Sequence, residues 1–162
     1  MKSGQLSARL ADAGYVLPNV AAPVAAYVPA VVLAGADKRN RLVQTSGQLP
    51  MVEGKLVATG KAGVGEGLLD AKYVYQLAKV CALNALAAAA QAAGGVDRII
   101  GVEKVTAFVA SDPTFYDQAL VANGASEFFG ELFDDGHARS AVGVAVLPLN
   151  APVEVEVLFR VK

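Results

Sequence analysis

The chain has no tryptophan, one cysteine and one histidine. With only Cys81, no intrachain disulfide can form and no zinc spacing built on paired thiolates exists. A small core residue on a helix is the expected role of that cysteine. With only His137, a pair of imidazoles sharing acid and base duty within one chain is excluded. Charge is scarce too: Asp, Glu, Lys and Arg make up 18% of the residues and the net charge is −1, which argues against a broad nucleic-acid-binding face. The most apolar segment, about 77–93, is interrupted by Lys79, Asn84 and Gln91 and is not a membrane span. Arg9 and Asp12 stand where a signal peptide needs an apolar stretch, so the expected compartment is the cytoplasm.

What the chain does have is small apolar side chains. Of its 162 residues, 54% are hydrophobic, which suits one domain with its own core. The excess is large enough to predict that part of the surface meets another subunit. Residues 4–13 predict a short helix, with Ser7 as a cap and Gly14 as its stop, and Pro18 and Pro23 mark an extended linker. Residues 27–34 and 41–47 read as strands joined by a polar turn from Gly35 to Asn40, and Lys55 to Thr59 as a short third strand. The run Gly60–Gly67 holds four glycines but lacks the Gly-Lys-Ser/Thr ending of a phosphate loop, so a flexible loop is expected.

Residues 68–93 predict a long alanine-rich helix stopped by Gly94 and Gly95, with Ala71, Val74, Ala78, Cys81 and Ala85 on one face. A strand at 99–110 follows. A second helix over about 114–133 carries Ala125, Phe128, Phe129, Leu132 and Phe133 on its core face. Residues 140–147 do not alternate, which predicts a strand buried on both faces. Residues 153–159 do alternate: Val153, Val155 and Val157 share one face, Glu154, Glu156 and Leu158 the other. The order is β-β-β-α-β-α-β-β, an α+β fold with two helices covering one face of roughly six strands. A second copy of the chain is expected on the other face. If 140–147 and 153–160 form a hairpin, Glu154 sits opposite Val146, and Arg139 lies seven residues further along, about 23 Å away. The two could then meet only across a subunit boundary.

The stretches YVPAVVLAG (27–35), QTSGQLP (44–50), VANGASEFF (121–129) and ARSAVGVAVLPLNAPVEVE (138–156) together resemble the RidA/YjgF family, also known as endoribonuclease L-PSP. The resemblance covers about 27–161 and leaves 1–26 as a helical extension and linker to a single domain. It implies a chorismate-mutase-like fold, a homotrimer around a central barrel, and cofactor-free hydrolysis of reactive enamines and imines to keto acids and ammonia. Other members are described as ribonucleases or translation inhibitors, and the same cleft in a non-enzymatic carboxylate-binding protein is a further reading.

By position, Arg139 matches the arginine that grips the substrate carboxylate, a task its planar fork suits. Glu154 matches the glutamate that positions or activates water. Tyr27 matches an aromatic that closes the cleft from a neighbouring subunit, Ser46 and Gly47 a turn with polar contacts, and Asn123 a helix asparagine beside the arginine. Two positions depart. Ala141 stands where relatives often carry cysteine, which leaves only backbone groups there. His137 stands where proline is common; it is either a group that moves protons near pH 7 or a loop residue bonded to the backbone. No metal or cofactor is implied, and nucleic acid is not an expected partner.

Overall fold

A computed structural model describes residues 5–20, 25–33 and 41–162; the expected turn at 35–40 lies outside them. Helix α1 (Leu6–Asp12) is followed by strands β1 (Ala30–Leu33) and β2 (Arg41–Thr45) and a two-stranded hairpin, β3 (Met51–Val52) with β4 (Lys55–Leu56). Then come α2 (Ala71–Ala93), β5 (Ile99–Ala110), α3 (Gln118–Leu132), β6 (Ala138–Val144) and β7 (Val153–Val161). The main sheet has five strands in the order β1-β2-β7-β5-β6. It is mixed, because β5 and β6 run parallel while the other neighbours are antiparallel. The third expected strand is therefore not part of this sheet but half of the separate hairpin, held by Asn84 of α2, whose Nδ2 donates to the carbonyls of Leu49 and Met51.

Local chemistry explains the long elements. Asp70 caps α2 by accepting from the Tyr73 amide at 3.0 Å, so the helix begins at Ala71 rather than at 68. Gly94 ends it in the left-handed conformation, φ 83°. Helix α1 is not capped by Ser7. Its first turn is satisfied from outside, where the Asp97 carboxylate accepts from both the amide and the hydroxyl of Ser7. Gly14 does end it, with φ +78°. Small residues let α2 and α3 approach closely: a Cβ on Gly124 of α3 would overlap the backbone carbonyl of Tyr75 in α2. The core lies between these helices and one sheet face, where Val43, Val105, Val153, Val155, Val157 and Phe159 are fully buried beneath Phe128, Phe129 and Leu132.

Three expectations need correction. The glycine run is not a loose loop, since Ala62 donates to Ala110, accepts from Asp112 and is fully buried. Within one chain, strand β6 is not buried on both faces. It is the sheet's edge, with Val142 43% exposed. Nor do β6 and β7 form a hairpin: β5 lies between them. A parallel partner requires a crossover, which α3 supplies. After β6 the chain turns through Pro148–Asn150, with Leu149 and Asn150 at positive φ, and enters the sheet's centre instead of folding back.

Candidate active site

The register sets where each expected site residue stands. Arg139 on β6 is level with Val105 of β5 and, through it, Val157 of β7. Glu154 is level with Phe108 and Val142. The two thus lie three residues apart along the strands and two strands apart across them, about 10 Å in each direction, not the 23 Å of a hairpin. An odd step also places them on opposite faces. Arg139 shares the helix side with Val105, and Glu154 the helix-free side with Phe108.

Around Arg139, α3 supplies the partners. Arg139 Nη1 donates to Asn123 Oδ1 at 2.7 Å and to Ser126 Oγ at 3.2 Å. Ser126 Oγ is also 3.0 Å from His137 Nε2. The His137 ring stands edge-on to Phe129, with ring centres 6.3 Å apart. Burial, and then the nearby Arg139 charge, hold His137 below the ordinary histidine pKa, so at neutral pH it is uncharged. Its partner is a serine hydroxyl, not the backbone expected of a loop residue. Nη1 has two N–H bonds and both are engaged. No carboxylate pairs with Arg139 among the described residues, and its Nε–Nη2 edge carries no hydrogen bond there. This is the edge that suits a planar carboxylate. Ala141, two residues on, packs against the same core.

The other expected residues gather at the opposite side of the sheet. Ser46 donates from Oγ to the Val28 carbonyl at 2.7 Å and from its amide to Pro29, which ties the β2 end to the segment carrying Tyr27. Tyr27 is exposed. Gly47 lies against the Glu154 carboxylate so closely that a Cβ there would overlap it. Burial, and then Glu156, push the Glu154 carboxyl above its ordinary value. One chain therefore carries two separate groups: Arg139, Asn123, Ser126, His137 and Ala141 at the β6 edge, and Tyr27, Ser46, Gly47 and Glu154 towards β1 and β2. Ser126 was not among the expected residues. Its signal was its spacing, because Asn123, Ser126 and Phe129 recur every three residues on one stripe of α3.

Residues 7–160 match the family described as "YjgF/chorismate mutase-like, putative endoribonuclease". The chain belongs to the RidA/YjgF family. Its α+β fold is the YjgF/chorismate-mutase-like one. Among relatives of this RidA/YjgF chain, Protein TCP17 of Trypanosoma cruzi is 38% identical over 98% of this chain and 95% of its own length. The crystal structure of a protein described as a putative endoribonuclease from Shewanella oneidensis is 28% identical, with TM-score 0.86 over 98% of this chain and all of that one. Escherichia coli TdcF, solved with bound serine, is 27% identical, with TM-score 0.61 over 89% of this chain and 94% of that one. No helix among the described residues is long and apolar enough to cross a membrane.

Proposed function

We propose that this RidA/YjgF chain hydrolyses small carboxylate-bearing enamines and imines in the cytoplasm, without a cofactor, at clefts completed by a second copy in a homotrimer. The observation that carries the reading is the Arg139 guanidinium, pinned through Nη1 with its Nε–Nη2 edge left open. Serine bound to TdcF is a small carboxylate of the fitting kind. The enamine first takes a proton on carbon and becomes the iminium ion, the protonated form of the imine. Arg139 holds the carboxylate while water adds to the C=N carbon and its proton passes to a base. The role of that base falls to Glu154, whose raised carboxyl value suits proton exchange. The base returns that proton to the nitrogen of the tetrahedral adduct, the C–N bond breaks to release ammonia as the hydroxyl gives up its proton and becomes the carbonyl, and imine and water have become keto acid and ammonia. Backbone groups near Ser46 and Ala141 polarise the substrate, and Asn123 holds the arginine. Because the two groups of residues are apart in one chain and Glu154 and Arg139 use opposite faces, the reading requires Tyr27, Ser46, Gly47 and Glu154 of one copy to meet Arg139 of another.

Replacing Arg139 by alanine should reduce ammonia release from a freshly generated imino acid to the uncatalysed rate; an unchanged rate would dismiss the reading. A second reading, RNA cleavage, is favoured by the likeness to a family and to a Shewanella protein that are both described as endoribonucleases. Cleavage of RNA by the wild type, lost in a single-site variant purified identically, would establish it. Stabilisation by 2-oxo acids without turnover would instead mark a carboxylate-binding regulator.

A further inference from the structure

We propose that Ser126 is the positioning residue for the Arg139 guanidinium, and that His137 fixes it by accepting the serine proton. The proposal rests on the reading of Arg139 as a carboxylate anchor and names what holds the anchor in place. Arginine stays protonated and can only donate, so at the 3.2 Å contact Ser126 Oγ is the acceptor. The hydroxyl has one proton to give, and its other partner is His137 Nε2 at 3.0 Å. A neutral imidazole has one accepting nitrogen. With the serine proton given to the ring, as proposed, that nitrogen is Nε2 and the ring proton is on Nδ1. The low pKa of His137 agrees with a neutral ring.

In this arrangement Arg139 gives to Ser126, and Ser126 gives to His137. Asn123 Oδ1 takes the second proton of Nη1. Two acceptors on one nitrogen fix the guanidinium plane, which a single contact would leave free to swing. The ring that anchors the far end is itself held edge-on by Phe129, which is buried in the core. The orientation of the open Nε–Nη2 edge is thereby tied to packed structure rather than to a mobile surface side chain.

The test uses full-length protein labelled with nitrogen-15. Because the chain has one histidine, its ring nitrogens give one unambiguous pair of signals. At pH 7.5 the wild type should show the Nδ1–H form. Ser126→Ala should shift the ring towards the Nε2–H form that free histidine prefers, and weaken L-serine binding about tenfold, the size expected for one hydrogen bond to a charged group. Ser126→Thr, which keeps the hydroxyl, should restore both. His137→Phe repeats the affinity measurement with serine at 126 intact and should also weaken binding. An Nε2–H ring in the wild type overturns the proposal whatever the ligand does. If Arg139→Ala loses serine while Ser126→Ala and His137→Phe bind it normally, positioning is overturned and the anchor stands. If Arg139→Ala binds serine as the wild type does, the anchor itself fails.

Discussion

Replacing Gly47 by alanine would set a methyl group where the Glu154 carboxylate now lies. The colliding atoms are the far end of a flexible side chain, so the fold should survive with a loss of about 1 kcal/mol, read by urea denaturation. The carboxylate, however, must leave its place, and ammonia release should fall far more than stability does. His137 gives a pH dependence. Its folded pKa lies below the ordinary histidine value of about 6.5, so the fold favours the neutral ring. Its contribution is present at pH 7.5 and is lost as the pH falls through the ordinary value towards the lower, folded one. The difference in unfolding free energy between pH 7.5 and pH 5 should be smaller in His137→Gln than in the wild type. At this scale the resemblance set an asparagine beside the arginine, and Asn123 does bond Arg139. Ser126 escaped because its three-residue spacing with Asn123 and Phe129 points to a site only once the register of that helix against β6 is known.

Among the elements, α2 and α3 depend on one close contact. A Cβ at Gly124 meets backbone, the Tyr75 carbonyl, and backbone inside a helix cannot swing aside. Gly124→Ala should therefore push α3 off α2 and cost about 1–3 kcal/mol or more. Because Asn123 and Ser126 flank it, serine binding should weaken in parallel; a wild-type urea midpoint would contradict this account. Long periodic elements were readable from the sequence: β5 spans the expected 99–110, and α2 ends at the expected Gly94. The β6–β7 relation was not. Strands that are consecutive in sequence but separated by β5 in space leave no local pattern, and the small residues of β6 (Ser140, Ala141, Gly143) imitate a buried strand while forming an edge.

For the molecule as a whole, the sheet face away from the helices carries Val31, Leu33, Leu42, Phe108, Val142 and Leu158, with Glu154 and Glu156 among them. Apolar side chains on a helix-free face favour self-association. Light scattering at micromolar concentration should give a trimer mass; a monomer would contradict the assembly on which the two-copy cleft depends. Leu158→Glu should yield a folded monomer by circular dichroism, and that monomer should release no ammonia. The apolar excess that raises the expectation of an oligomer was legible from composition alone. The separation of the candidate residues into two groups was not, since it follows from strand order.

Cys81 offers one more consequence. Its thiol is fully buried on α2, 3.7 Å from the Val153 carbonyl, and burial pushes its pKa well up, so it is both hidden and protonated. Alkylating reagents can reach it only when α2 lifts from the sheet. In a chain with one sulfhydryl, the rate of its modification is then a clock for the opening of the core, and each variant above can be timed against it without any added label.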